Sequence, residues 1–164
     1  MFDIDGNEYN VIRIGDLHWT VENLKTTKYN DGTDIKLITD NEEWEHAGKN
    51  NIPAYCYYCN DLSNKQKYGA LYNYHAVSTG KLIPEGWRIP VDEDWNERCL
   101  ITGTILSGYR SYDGNFNNIG DYGFWWNDNA TFAYFRNISY NFDGLAKYNY
   151  SKGCGFSVRV VRDV

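Results

Sequence analysis

An alternating segment near the C-terminus, residues 132–142, constrains the fold more than any other part of the chain. Its even positions are mostly large and apolar, and its odd positions are mostly smaller and polar: Phe132, Tyr134, Arg136, Ile138, Tyr140 and Phe142 against Ala133, Phe135, Asn137, Ser139 and Asn141. Residues two apart lie on the same face of a strand, so this pattern predicts a β-strand with one apolar and one polar face. Asp143-Gly144 predicts a hairpin turn after it, and residues 146–150 predict the returning strand.

The segments on both sides of this predicted hairpin are typical of a protein core. Gly123-Phe124-Trp125-Trp126 precedes it, and Phe156, Val158 and Val160 alternate after it in a predicted final strand. The stretch between them is rich in Asn and Tyr, which is typical of a surface. The sequence therefore predicts a stable scaffold that presents this stretch.

The first half of the chain predicts strands followed by a helix. Residues 7–21 have the pattern of two strands joined by a turn at Gly15-Asp16. Thr39 and Glu42 have the spacing of a capping box, which predicts the start of a helix. Gly48 and the Asn pair that follows predict that this helix is short.

The middle of the chain predicts a further strand and two helices. Residues 54–58 form an aromatic run typical of a strand, and residues 69–77 have a helical pattern with Leu71 and Tyr74 on one face. Asp92-Glu93-Asp94 predicts the start of another helix, because acidic residues in a first turn suit the helix dipole. Together these elements predict an α+β fold. With no internal repeat and no linker, the chain is expected to be a single domain over residues 1–164.

Composition and charge argue against binding to nucleic acid and insertion into a membrane. The chain has 164 residues, 15 Tyr, 6 Trp and a net charge of -6. This charge gives no electrostatic footprint for nucleic acid, and no apolar stretch is long enough to insert into a membrane. No signal peptide is visible in this chain. Its oligomeric state stays open.

Cysteine and histidine residues do not form a metal or redox pattern. Cys56 and Cys59 have CxxC spacing, but the second close pair that a structural zinc site needs is missing. Cys99 and Cys154 are isolated, and His75 has no accompanying carboxylate or nucleophile pattern. We therefore expect no cofactor, no metal and no catalytic residue, with His75 packed or solvated.

Several blocks in order resemble the Fibrobacter succinogenes major paralogous domain, which belongs with the C-type lectin-like folds. They are Asp5-Gly6-Asn7, Trp19 with Glu22-Asn23-Leu24-Lys25-Thr26, Tyr68-Gly69-Ala70-Leu71-Tyr72-Asn73, Pro84 with Gly86-Trp87 and Ile89-Pro90, Gly108-Tyr109-Arg110 and Gly155-Phe156-Ser157-Val158-Arg159. The resemblance implies two helices, twisted antiparallel sheets and ligand-facing C-terminal strands over about residues 123–162. Two departures stand out. Val91 replaces a hydroxyl residue that would cap the next helix, and the segment between Trp95 and Gly108 is shorter than usual.

Residues 127–151 also resemble the variable region of a protein diversified by a retroelement, for which this fold is a known display platform. Such elements rewrite adenines, so an Asn codon cannot become Lys, Glu, Gln, Met or Trp. Only Lys147 in this stretch belongs to those types, which make up roughly a fifth of ordinary sequence. A strand-rich aromatic surface would carry the same bias, so both explanations stay open.

Two further resemblances imply other functions. Trp126-Asn127-Asp128 matches a triplet that supplies calcium ligands in carbohydrate-binding C-type lectins, but the second ligand cluster is missing, which favours a core Trp followed by surface Asn and Asp. Trp87-Arg88-Ile89-Pro90 resembles a segment of the formylglycine-generating enzymes, whose oxidation depends on a cysteine pair near the C-terminus. Here Cys154 stands alone in that region, so this activity does not carry over.

The sequence favours a non-enzymatic domain that recognises a host or cell-surface protein or glycan. Tyr offers rigid contact area, and Asn and Ser offer adaptable hydrogen bonds. The expected ligand-binding residues are Trp126, Asn127, Asn129, Tyr134, Phe135, Asn137, Ser139, Asn141, Asp143, Tyr148 and Tyr150. The expected location is extracellular, on a cell surface or a virion, as in an adhesin or a phage or virus attachment protein. The alternatives are an oxidative or metal-dependent enzyme and a purely structural surface domain.

Overall fold

The computed structural model describes residues 1–95, 105–128, 134–139 and 142–164, and along 134–139 and 142–149 it describes the backbone. Its strands, in chain order, are β1 Val11–Ile14, β2 Leu17–Thr20, β3 Lys36–Leu37, β4 Ala54–Cys56, β5 Leu71–Tyr72, β6 Ser107–Arg110, β7 Phe116–Ile119, β8 Tyr122–Trp126, β9 Tyr134–Ser139, β10 Phe142–Asn149 and β11 Val161–Asp163. Its α-helices are α1 Asn41–Lys49, α2 Asn64–Tyr68 and α3 Tyr74–Val77, with 3-10 turns at Tyr58–Asn60 and Asp92–Asp94. The fold is therefore mixed α+β with short helices, as the sequence predicts.

The strands of this described part form three sheets. Two have three strands, in the orders β1-β2-β11 and β3-β4-β5, and the third has five, in the order β10-β9-β8-β6-β7. Neighbouring strands are antiparallel except β3 with β4 and β6 with β8. Because β11 pairs with β2, the two ends of the chain meet in one sheet.

The N-terminal elements follow local signals closely. β1 and β2 pair around the predicted Gly15-Asp16 turn, where Gly15 has a φ of 63°. Helix α1 is short, as predicted, but its cap is Asp40 and not Thr39. The Asp40 side chain accepts a hydrogen bond from the Glu43 amide at 2.9 Å, because the chain becomes helical one residue later than the capping-box spacing suggests.

The helix predicted over residues 69–77 is wrong in its first half. Leu71 and Tyr72 form β5, and only Tyr74–Val77 is helical, because Asn73 caps α3 by accepting from the Ala76 amide at 3.0 Å. The resemblance implies two helices, whereas the described residues contain three. The extra one is α2, which lies between the strand predicted over residues 54–58 and the helix predicted over residues 69–77.

The segment after Pro90 begins with a 3-10 turn, Asp92–Asp94. Val91 has no side-chain acceptor and gives no cap, as its identity predicts. Instead the Asp94 carboxylate accepts from the Val91 amide at 2.8 Å. The predicted helix beyond Trp95 falls on residues 96–104, which lie outside the described residues.

β9 and β10 form the predicted antiparallel hairpin, but the predicted turn at Asp143-Gly144 is wrong. Ser139 lies opposite Phe142, so the connection is residues 140 and 141, which lie outside the described residues. Asp143-Gly144 lies within β10, where the pairing register shifts between Phe142 and Ala146, as it does at a β-bulge. Asp-Gly favours both tight turns and bulges, so the dipeptide alone does not distinguish them.

The buried residues of the described part form three clusters that are rich in aromatic side chains. Their largest fully buried side chains include Trp19, Trp44, Trp125 and Trp126. Phe156, Val158 and Val160 are buried as predicted, although the regular strand β11 begins only at Val161. None of the helices in the described residues is long and apolar enough to cross a bilayer.

Candidate ligand-binding site

The backbone register places four of the expected binding positions on one face of the five-stranded sheet. Three positions of β9 lie opposite alternate aromatic residues of β8: Phe135 opposite Trp126, Asn137 opposite Phe124 and Ser139 opposite Tyr122. In β10, Tyr148 lies opposite Phe135. Directly opposite residues share a sheet face. Phe135, Asn137, Ser139 and Tyr148 therefore form one set of positions, at the β10 edge of the sheet.

The other expected positions are distributed differently. Tyr134 lies opposite Asn149, one residue out of phase with Phe135, so it belongs to the other face. Asp143 lies in the bulge of β10. Asn129 and Asn141 lie outside the described residues.

Trp126 and Asn127, the first two expected contact residues, are both buried. Trp126 has no exposed surface, and its indole nitrogen donates to the Tyr72 carbonyl at 2.7 Å. Asn127 is 1% exposed, whereas the sequence predicts a surface Asn after a core Trp. Trp126 therefore lies in the core beside the Phe135 position, on the same face of the sheet, and Asn127 is held at the end of β8.

A row of aromatic rings extends this face toward the C-terminal side of the hairpin. Tyr109 and Phe124 have ring centroids 4.6 Å apart, Phe124 stacks on Phe156 at 5.5 Å, and Tyr150 lies 6.2 Å from Tyr109. Burial and a hydrogen bond with Tyr150 raise the pKa of Tyr109 to about 12. Tyr150 is 41% exposed, so this expected contact residue is open to solvent while its neighbours are fixed.

Two anchor segments, residues 123–127 and 154–160, hold the ends of the hairpin in the core. In the first, the Trp125 indole nitrogen donates to the Asn23 side chain at 2.7 Å. In the second, Gly155 and Arg110 exchange backbone hydrogen bonds of 2.7 and 3.0 Å. A Cβ on Gly155 would lie 2.9 Å from the Trp44 ring, so no residue other than glycine fits this position unless the ring moves. The ends of the hairpin are thus set by contacts outside the hairpin.

A groove lies at the end of β8, next to the first anchor segment. It consists of two clefts of about 250 and 410 Å³ that share Tyr74, Ser78 and Asp128. The smaller cleft has apolar walls from Val77, Ile83, Trp87 and Ile89, and about as much polar surface, including Arg88 and Asn127. The larger cleft is polar, with Asn51, His75 and Lys152. We call the two together the β8 groove.

Asn127 is fixed at the wall of this groove by one half of its amide. Its Nδ2 donates to the Asp92 carboxylate, whereas its buried Oδ1 has no hydrogen-bond partner among the described residues. Asp128 follows it, with its amide bonded to the Pro90 carbonyl at 2.9 Å. Its carboxylate is exposed and forms no ion pair with the described residues.

His75 borders the polar end of the groove but is fixed in the fold. It is 9% exposed, and its Nε2 lies 3.1 Å from the Gly48 carbonyl, to which it donates. Burial lowers its pKa, the hydrogen bond to Gly48 opposes this change, and Lys152 adds to it. A neutral, packed ring therefore lies here.

Two of the three described thiols are buried and weakly nucleophilic, and the third is exposed. Burial raises the pKa of both Cys56 and Cys154 to about 12. Cys59 is exposed, on a backbone with a φ of 53°. The described residues contain no group of three or more His, Cys, Asp or Glu side chains that could hold a metal ion.

The sequence does not predict the groove, because its walls come from segments that are far apart along the chain. Asn127 and Asp128 gave a signal, since they form the Trp-Asn-Asp triplet with Trp126. Tyr74 and Lys152 gave none, because Lys152 reaches the Tyr74 ring, at 5.6 Å from its centroid, only through the fold.

Fold and site together define a small α+β protein with an aromatic core, an edge hairpin held by buried anchors, and an adjoining groove. A family model for the Fibrobacter succinogenes major domain matches residues 12–102, more than half of the chain. The chain therefore belongs to the Fibrobacter succinogenes major domain family. The match ends at residue 102, so the hairpin and both of its anchor segments lie beyond it. No curated protein and no solved structure matches the chain.

Proposed function

We propose that the chain is a non-enzymatic binding domain that recognises a protein or glycan on a cell surface through the β9–β10 hairpin. One observation carries the proposal. The Asn- and Tyr-rich stretch coincides with a hairpin at the sheet edge, while both of its flanks are fixed in the core by contacts of their own. Side chains on such an edge can serve recognition without serving the fold.

The same arrangement supports a C-type lectin-like scaffold with a diversified hairpin. A retroelement that rewrites Asn codons needs a segment whose side chains can change while the ends stay in place. Residues 127–151 contain only Lys147 among the residue types that such rewriting excludes, and the anchor at Gly155 follows directly. A phage or virus attachment protein or a bacterial surface adhesin is the setting in which such variation is useful.

Cell binding and a glycan array test the site. We expect Tyr148→Ala combined with Asn137→Ala to abolish binding of the wild-type domain to its target cells or glycans. Tyr112→Ala combined with Asn115→Ala is the matched control, because it removes the same two residue types from an exposed turn outside the hairpin. Equal urea midpoints would show that both variants are folded. Unchanged binding by the hairpin variant would refute the site.

DNA sequencing around the gene tests the diversification. We expect a near-repeat of the codons for residues 123–159 that differs from them only where the repeat has adenine. A locus without such a repeat would refute diversification and leave a binding domain with a fixed surface.

A further inference from the structure

Strand β1, Val11–Ile14, lies at the edge of the sheet β1-β2-β11. The Val21 amide donates to the Asn10 carbonyl at 2.9 Å, in the register that pairs β1 with β2. Hydrogen-bonded and non-hydrogen-bonded pairs alternate along an antiparallel ladder, so the backbone N–H and C=O groups of Val11 and Arg13 point away from β2. Among the described residues these groups have no backbone partner. β1 therefore presents a free edge to another strand.

One face of this sheet carries a row of basic side chains. Arg13 lies directly opposite His18, and His18 lies directly opposite Arg162. Residues that lie opposite each other share a face, and like charges so placed repel. Positive charge is thus concentrated on one face of a protein whose net charge is -6.

The two arginines have no strong ion pair with the described residues. The Arg13 guanidinium donates to the Gly15 carbonyl at 3.0 Å, and its ion pair with Asp16, at 3.9 Å, is exposed and weak. The Arg162 guanidinium lies 5.0 Å from the centre of the Trp87 ring and forms no ion pair within the described part of the chain. Because a guanidinium has five N–H donors, Arg13 can still bind a carboxylate beside β1.

The opposite face of β1 is apolar and incompletely covered. Ile12 and Ile14 pack against the buried cluster that contains Trp19 and Val161, but both isoleucines stay partly exposed. Side chains of a strand alternate between the two faces, so an added strand meets positive charge on one face and aliphatic surface on the other. The complementary segment therefore alternates acidic and apolar residues.

We propose that β1 binds an extended acidic segment of a protein partner by strand addition. An acidic residue of this segment lies opposite Arg13, exchanges both backbone hydrogen bonds with it and pairs its carboxylate with the guanidinium. The residues on either side of it are apolar and lie opposite Ile12 and Ile14. The inference goes beyond the proposed function, because none of these positions belongs to the hairpin.

Charge and backbone together favour this occupant over others. A second copy of the chain would bring its own Arg13 to the same edge, where like charges across two strands repel. A free anion or an acidic glycan offers charge without the repeating N–H and C=O groups of a strand. An extended acidic segment satisfies both the arginine and the unpaired backbone of β1.

The test is an NMR titration of the whole chain with a blocked peptide, acetyl-Thr-Val-Glu-Val-Thr amide. We expect saturable binding and slower hydrogen exchange of the Val11 and Arg13 amides, because these amides gain acceptors from the peptide. The amides of β7, Phe116–Ile119, are the control, since β7 is an edge strand of another sheet and its exchange should not change.

Matched peptides separate the charge from the backbone pairing. Lysine in place of the glutamate should weaken binding about tenfold, because an opposite-charge pair becomes a like-charge pair. N-methylated glutamate keeps the carboxylate but cannot donate to the Arg13 carbonyl, so this peptide should also bind about tenfold more weakly. Added salt should reduce the difference between the glutamate and lysine peptides.

A charge reversal in the protein locates the contact. Arg13→Glu should bind the lysine peptide better than the glutamate peptide. Lys67→Glu reverses an exposed charge outside this sheet and should keep the wild-type preference.

Several results would overturn the inference. They are a glutamate peptide that does not bind saturably, equal binding of the glutamate and lysine peptides, an unchanged preference in Arg13→Glu, and glutamate-peptide binding without slower exchange at Val11 and Arg13. A concentration-dependent dimer in which these two amides are protected without peptide would also overturn it, because the edge would then belong to a second copy.

Discussion

Replacing the buried Arg110 should destabilise the protein strongly, even if the replacement is apolar. Arg110 has no exposed surface, and its guanidinium donates to the carbonyls of Gly114 at 2.9 Å and Ile38 at 2.6 Å. It also donates to acceptors at the start of α1, and it lies 4.5 Å from the Trp44 ring centroid. One side chain thus connects β6 to the helix and to the loop that precedes it.

The magnitude follows from the acceptors that the substitution leaves behind. Arg110→Met keeps much of the apolar volume but leaves the Ile38 and Gly114 carbonyls buried without a donor, at about 1–3 kcal/mol each. The acceptors near the surface can turn to water and contribute little. Removing the cation returns some desolvation free energy, so we expect a net loss of about 3 kcal/mol in the free energy of unfolding. Arg110→Lys keeps a donor but not the planar fork, so its loss should be smaller, about 2 kcal/mol.

Urea unfolding followed by tryptophan fluorescence measures both losses, with the m-value as a check on two-state behaviour. Exposed Arg13→Met is the control, because its guanidinium lies in a weak surface pair with Asp16 at 3.9 Å. Buried ion pairs can be replaced by apolar residues without loss, because both partners are removed. Backbone carbonyls cannot be removed in this way. An Arg110→Met variant as stable as the wild type would therefore refute the reasoning.

Three further predictions follow from the described contacts. Burial raises the pKa of Cys154 to about 12, so Cys154 should react with a disulfide reagent far more slowly than exposed Cys59. A fast phase that survives Cys59→Ser and disappears in Cys154→Ser would contradict this. Burial lowers the pKa of His75 below 6.5, so the folded state binds fewer protons than the unfolded state, and stability should fall as the pH drops through about 6.5. His75→Gln should flatten that part of a plot of urea midpoint against pH, and an unchanged slope in this variant would argue against the role of His75. Asn73→Ala should cost about 3 kcal/mol, since its side chain makes three hydrogen bonds, with the Ala76 amide in α3, the Ala54 amide in β4 and the Ile52 carbonyl just before β4. The exposed cap Asp40→Ala should cost about 1 kcal/mol, and equal losses in thermal unfolding would contradict the difference.

The sequence predicts the parts of the fold that depend on neighbouring residues. The β1–β2 turn at Gly15-Asp16 and the short α1 follow from local turn and cap chemistry, and the alternation in residues 132–142 predicts β9. The turn of the β9–β10 hairpin was predicted at the wrong place from such local signals, because Asp143-Gly144 suits a bulge as well as a turn. The same signals also extended α3 too far, because the Asn73 cap is recognisable only together with β4, to whose Ala54 amide it bonds at 3.1 Å.

The interior polar groups could not be predicted at all. Nothing in Gly108-Tyr109-Arg110 indicates that the arginine is buried, because its acceptors at Ile38, Thr39 and Asp40 lie about seventy residues earlier. The β8 groove is similar, since Trp87 and Lys152 meet Asn127 and Asp128 only after folding. The candidate hairpin positions were accessible from periodicity, whereas the groove required long-range contacts.

These buried groups fix both ends of the hairpin through contacts that lie outside it. Its first end is fixed by the indole nitrogens of Trp125 and Trp126, which donate to Asn23 and to the Tyr72 carbonyl. Its second end is fixed by the paired backbones of Gly155 and Arg110. All of these partners lie outside residues 129–149, so a substitution within the hairpin removes none of them. If the hairpin is the binding surface that we propose, stability resides in the anchor segments and binding specificity in the hairpin, which is the division that a changeable surface requires.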